Sequence, residues 1–274
     1  MMTLRSALSA AVVLLGVSFT ARAQMLPQAN PLRRFPAAEA NQGVAVDDAF
    51  FYAIADHDIG KYRKSDGVKV AEWHGAPPNF IHINSCTALG EQLVCAHSNF
   101  PGVPQMSSVE LFRRSDLLHV GSKLLGHGPG SLVWGEWHDN AWYACFANYD
   151  AKGGEPGHDH TATVLVRYDK AWTEQQRWLF PTDVLAKFGH MSASGGRFGA
   201  DGLLYVQGHD LPEMYVLRVP PKGDRLEHVS TFGMPTGGQA FDLDRTNPRH
   251  VWSISRKGNE VVESETPALE TEQR

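Results

Sequence analysis

Histidine recurs in this chain at places where strands should end. His57, His82, His97, His158, His160 and His209 each lie within two residues of an Asp or Asn. Imidazole is the side chain whose ordinary titration falls near neutrality, so such groups suit proton transfer or metal ligation. Three chemistries fit. In the first, His97 and His209 transfer protons while Arg256 clamps an anionic group, as a lyase, isomerase or hydrolase requires. In the second, His82, His97, His160 and His209 hold a divalent ion (zinc, manganese or calcium), with Asp210 orienting a ligand or binding directly. In the third, a small ligand is held without turnover by hydrogen bonds with Asn84, Asn99, Asp150, Gln42 and Gln239. Serine nucleophiles gain little support: G-x-S-x-G is missing, and Ser98, Ser107, Ser192 and Ser194 are explained by turns and packing. The G-x-G-x-x-G spacing is missing too, which argues against a nucleotide cofactor.

The elements that would carry these residues are short alternating stretches rich in Val, Tyr, Trp and Phe, separated by turn residues. Residues 41–73, 84–125, 131–180, 194–232 and 237–264 repeat one grammar. A small-residue lead-in opens a strand, a polar turn gives a second, a variable loop a third such as SSVELF, TVLVRY or MYVLRV, and a charged turn a fourth. This is the pattern of a β-propeller blade. The fifth unit lacks a clear fourth strand, which residues 32–39 could supply to close the ring. The expectation is an all-β, single β-propeller of five blades; six would follow if an irregular stretch hid a degenerate unit, and a β-sandwich is the competing architecture. One helix is expected, at residues 182–188 after Pro181. In a propeller the loops after each second strand share one face with the lead-ins to the inner strands. Asp56, His57, His97, Asn99, Asn148, Asp150, His209, Asp210 and Arg256 then meet Gln42, His82, Asn84, Ser194 and Gln239 on one rim. The loop YDAKGGEPGHDHTAT could fold across its mouth, with His160 as a lid residue.

The stretch HINSCTALGEQLVCAHSNF tests the register. A two-residue turn at Gly90-Glu91 makes residue 89 face 92 and Cys86 face Cys95, across a non-hydrogen-bonded pair where a disulfide can form. Two buried thiols are the alternative; zinc is disfavoured because no second Cys pair completes a site. The same register sets His82 and His97 together at the far end of the hairpin, both facing the rim. Cys145, in AWYACFA, reads as core, as do most of the tryptophans.

Residues 1–23 read as a secretory signal peptide, with an early Arg5, an uncharged run and the small-x-small sequence Ala21-Arg22-Ala23. The run is short of the roughly 20 apolar residues that span a bilayer. A periplasmic or secreted protein with no membrane span is expected, its single domain covering residues 24–274. Beyond residue 23, 23 basic residues face 30 acidic ones, a net charge of −7. With no basic run, nucleic acid is excluded as a partner.

At NQGVAV, HINS, CAHSNFPGVP, GGEPGHDH, GHDLPEMYVL and GGQAFDLDR the chain resembles a family of exported bacterial β-propellers, some labelled cycloisomerase through distant similarity to the propeller-fold muconate lactonising enzymes. The resemblance spans nearly all of the chain beyond the signal. It emphasises His82, Asn84, His97, Asn99, Asp150, His160, His209, Asp210 and Arg256. The family pattern has Gly at Ala240 and Asp at Ser255, so this chain departs from it in the fifth unit. The leading expectation is an enzyme acting on a small hydroxylated or carboxylated, sugar-derived substrate. The competing one is a non-catalytic propeller that binds a ligand or a protein partner on the same face.

Overall fold

The alternating stretches fold as strands in the computed structural model, which describes residues 25–269. The signal-peptide expectation lies outside the described residues. Strand β1 (Asn30–Pro36) comes first and stays apart from its sequence neighbours. Blade I contains β2 (Gly43–Val46), β3 (Phe50–Ile54), β4 (Asp58–Arg63) and β5 (Lys69–His74). Blade II contains β6 (His82–Leu89), β7 (Gln92–Ser98), β8 (Ser107–Arg113) and β9 (His119–Gly126). Blade III contains β10 (Ser131–His138), β11 (Ala141–Ala147), β12 (Val164–Tyr168) and β13 (Glu174–Leu179). Blade IV contains β14 (Ala193–Phe198), β15 (Leu204–Gly208), β16 (Glu213–Arg218) and β17 (Glu227–Gly233). Blade V contains β18 (Asp242–Leu243), β19 (His250–Ser255) and β20 (Glu260–Glu265), and β1 completes it by pairing antiparallel with β20. The protein is therefore a five-bladed β-propeller; among the described residues neither a sixth blade nor a sandwich is formed.

Ring closure is secured by apolar contact as well as by the β1–β20 ladder. Phe35 of β1 stacks on Trp252 of blade V, centroids 5.7 Å apart, and meets Phe51 of blade I at 5.2 Å. Burying a side chain of that size contributes about 1.5–3 kcal/mol. Two buried ion pairs join blades. Lys64 of blade I donates to Asp244 of blade V at 2.5 Å. Arg197 of β14, fully buried, donates to Asp242 of β18 at 2.9 Å and to the Cys86 carbonyl of β6 at 2.5 Å. One guanidinium thus ties the inner strands of blades II, IV and V together.

The hairpin of blade II pairs Cys86 with Cys95, which form a disulfide with Cα atoms 3.9 Å apart. Cys145 is a buried free thiol. The simple register does not continue to the rim, however. It shifts between Ile83 and Cys86, so that Ile83 faces His97 and His82 faces Ser98. Equivalent shifts occur in the inner strands of blades III and IV, between Leu132 and Trp134 and between Ala193 and Gly195. An extra residue in one strand sends the side chains beyond it to the opposite face. The helix α1 (Thr182–Phe188) begins after Pro181, ends at Gly189 (φ 60°), and buries Val184, Leu185 and Phe188. Among the described residues no helix is long and apolar enough to cross a membrane.

Candidate functional site

The inner-strand lead-ins and the loops after the second strands meet around a cavity of about 420 Å³ on one face of the ring. Gln42 and Asp56 come from blade I, Ile81, His82, Asn84, Phe100 and Pro101 from blade II. Val133, Tyr149 and Lys152 belong to blade III, Met191, Ala193, Ser194 and His209 to blade IV, and Arg256 to blade V. Apolar walls and a few converging polar groups are the usual make-up of a small-molecule site.

Its best-defined polar unit joins blades I and II. His82 Nδ1 lies 2.6 Å from Asp56 Oδ1, which also accepts from Gln42 Nε2 at 2.8 Å. Burial raises the Asp56 pKa, but the hydrogen bond and charge of His82 and the Gln42 amide outweigh it and hold the carboxyl below the ordinary 3.8. An ionised Asp56 requires Nδ1 of His82 to carry a proton, so that in the neutral ring Nε2 is the basic nitrogen; the same logic places the imidazole of a catalytic triad. The His82 ring packs on Phe100 at 5.0 Å and its side chain is 12% exposed. The backbone of this segment is fixed too, since Ile83 N donates to the Asp56 carbonyl at 2.7 Å.

A second pair stands at the border of blades IV and V. His209 Nδ1 is 2.6 Å from Asp210 Oδ1, and its Nε2 is 3.2 Å from Arg256 Nη1. Arginine can only donate, so His209 Nε2 accepts and the proton sits on Nδ1 toward Asp210. His209 and Arg256 also border a smaller groove of about 280 Å³ with Gln239, Gly237 and Gly238. Gln239 itself is buried and donates to the His209 carbonyl at 3.3 Å. Lys152 has no carboxylate within 4.0 Å among the described residues; its ammonium lies 5.6 Å from the Phe100 ring centre.

Several expected residues are placed elsewhere. His97 does not line the cavity. Because of the register shift beyond Cys86 it faces away from His82, with Nε2 accepting from Ile81 N at 3.0 Å and Nδ1 against Ser108 Oγ at 3.0 Å. Burial pushes its imidazole below the ordinary 6.5 despite the nearby Glu110 carboxylate. A ring whose two nitrogens are both engaged inside the protein is not free to move substrate protons or bind an ion. Asn99 is spent on its own loop, bonding Pro104 O and Met106 N. His160 lies in a groove beside α1, so the blade III loop presents Lys152 rather than His160 to the cavity.

The four-imidazole metal set is corrected by the same geometry. Among the described residues, the group whose ligand atoms lie within 4.8 Å of one another is Asp150, Asp159 and His160. Asp150 Oδ1 accepts from both His160 N (2.9 Å) and His160 Nδ1 (2.7 Å), contacts that hold its carboxyl below the ordinary range against burial. Two carboxylates with one imidazole form an oxygen-rich set that suits manganese or calcium better than zinc.

Sequence reading assigned no role to Phe100, Tyr149, Lys152 or Met191, and named Asp56 only as a rim residue. The signals for Phe100, Tyr149 and Lys152 were the loops NFPGVP and YDAKGG, whose paths are set by contacts between blades: Gln105 Nε2 donates to the Gly153 carbonyl at 2.8 Å.

No protein-family model matches the sequence, and no curated protein sequence does either. The fold is similar to solved structures. Myxococcus xanthus glutaminyl cyclase superposes with a TM-score of 0.59 at 8% identity, over 89% of this chain and 100% of that one. A luciferin-regenerating enzyme superposes with a TM-score of 0.53 at 9% identity, over 88% and 96% of the two chains. At such identities the likeness is one of fold alone.

Proposed function

We propose that this protein is an enzyme acting on a small carboxylated and hydroxylated compound, of the sugar-acid kind, by proton transfer at the axial cavity. The Asp56–His82 pair carries this reading: its carboxylate fixes the imidazole tautomer and leaves one nitrogen free at the cavity wall. Arg256 receives the substrate carboxylate, and its guanidinium already bonds His209 at 3.2 Å. His82 removes a proton from carbon or hydroxyl, and His209, released as Arg256 turns to the substrate, takes up a solvent proton on Nε2 and returns it to the substrate on the other side. That sequence suits a lyase or isomerase. Two propellers of similar fold are named as enzymes, which supports a catalytic role without specifying a reaction. Export to the periplasm or beyond accords with the disulfide.

The test does not require the product to be identified. Purified protein is incubated in D2O with a panel of hydroxy acids, aldonates and uronates, and loss of carbon-bound protons is followed by NMR. Exchange that disappears in His82→Gln and weakens in Arg256→Gln supports the reading. Binding without exchange, equal in both variants, would show a ligand-binding propeller with no turnover. A second reading rests on Asp150, Asp159 and His160, where a hard divalent ion would hold the substrate carboxylate. Titration calorimetry with manganese and calcium, on the native protein and on Asp159→Asn, decides it.

A further inference from the structure

His97 is buried and does not line the cavity, yet it holds a residue that does, Ile81, through one atom pair. The proton positions around it follow from donor and acceptor chemistry alone. Glu110 is 4% exposed and accepts from Ser108 Oγ at 2.6 Å, from His119 Nε2 at 2.8 Å and from Ser122 Oγ. These bonds outweigh burial and keep the carboxyl below its ordinary range, so it is ionised. Ser108 therefore spends its only proton on Glu110, and its oxygen must accept from His97 Nδ1 at 3.0 Å. With Nδ1 protonated, His97 Nε2 is a lone pair, and it accepts the Ile81 amide at 3.0 Å. Ile81 directly precedes His82. On the other side Phe80 is wedged among Trp73, Phe112 and His119, with centroids 4.6, 6.4 and 5.1 Å away.

We propose that His97 is a positioning residue for His82: the relay Glu110–Ser108–His97 holds the Ile81 amide, and so fixes the chain that delivers the His82 ring to Asp56. The inference rests on the acid–base reading of His82 for its functional meaning, not for its geometry. Glutamine can present an oxygen near the position of Nε2 and keep the Ile81 bond; leucine fills similar space and cannot. A purely space-filling role for His97 would make no distinction between them.

Amide hydrogen exchange and the imidazole N–H signals of the full protein are measured for the native chain, His97→Leu and His97→Gln. In His97→Leu the Ile81 amide should exchange about tenfold faster, the effect of losing one net hydrogen bond. The downfield Nδ1–H signal of the Asp56–His82 pair should weaken. The Ile83 amide, held by the Asp56 carbonyl, serves as the internal reference, and His97→Gln should restore both signals. Should His97→Leu fail to fold, Ser108→Ala removes the acceptor that sets the His97 tautomer, and it should loosen Ile81 to a smaller degree. Ile81 protection unchanged in the folded variants, or glutamine no better than leucine, overturns the proposal. Failure of the acid–base reading looks different: His82→Gln would leave deuterium exchange into substrate untouched while the Ile81 readouts behaved as described.

Discussion

Replacing His82 by leucine tests the central pair without any substrate. Asp56 Oδ1 accepts two hydrogen bonds, from His82 Nδ1 at 2.6 Å and from Gln42 Nε2 at 2.8 Å. Burial works against its ionisation, and the His82 contact is the largest of the influences that favour it. A hydrogen bond to a charged group contributes roughly 1.5–3 kcal/mol. The Asp56 side chain is 43% exposed, so solvent screening brings the contribution just below that range, to about 1.4 kcal/mol, equivalent to tenfold in proton affinity. With leucine at position 82 the carboxyl keeps its burial and the Gln42 amide but loses the imidazole. It should then bind its proton about tenfold more tightly than in the native protein. The assay is the carboxyl carbon-13 shift of Asp56 followed across the acid range, with the fold monitored by circular dichroism. A titration that does not move, or moves toward lower pH, would refute the coupling between Asp56 and His82, and the acid–base reading with it.

Other outcomes follow from the same geometry. Arg197→Met leaves Asp242 charged and buried without its guanidinium, and should lower unfolding free energy by about 3–5 kcal/mol, measured by urea denaturation; Arg197→Met combined with Asp242→Leu should recover part of that loss. Removing the Cys86–Cys95 bridge by double alanine substitution opens a short loop, nine residues apart in sequence, and should cost roughly 2–3 kcal/mol in the same assay under oxidising conditions. Thermal stability should fall with acid in two stages. The His97 imidazole is depressed from the ordinary 6.5 in the folded state, so the unfolded chain takes up the proton first and stability declines as pH falls below that value. Asp56 and Glu110 are depressed from 3.8 and 4.5, so the stability they contribute is present above those values and is lost as pH falls toward their folded midpoints. In His97→Gln the first stage should vanish and the second remain, as read from melting temperature against pH.

The blade grammar, the closing of blade V by N-terminal chain and the partnership of Cys86 with Cys95 were all legible in the sequence. Each depends on short-range rules: alternation along a strand, a two-residue turn at Gly90-Glu91, and a missing fourth strand that some other segment had to supply. The rim was legible as a face, because blade topology alone brings Gln42, His82, Asn84, His209 and Arg256 to one end of the ring, where one cavity touches them all. Which histidine looks into that cavity was not. Counting outward from the turn keeps His97 beside His82, whereas the register shift, an extra residue of β6 between Ile83 and Cys86, turns His82 to the opposite face, leaving His97 against Ser108 in the regular β7–β8 ladder. That shift accompanies packing of the inner strand against its neighbours, where Asn84 Nδ2 reaches the Leu132 carbonyl of the next blade at 3.3 Å. Residues brought together by separate blades, such as Asp56 with His82 or Arg256 with His209, carry no local signal, since their spacing in the chain is set by loops and their distance in space by the ring. The sequence therefore determined which blade ends meet at the rim, while the tertiary structure decided which of their side chains reach the cavity and which of their atoms remain free there.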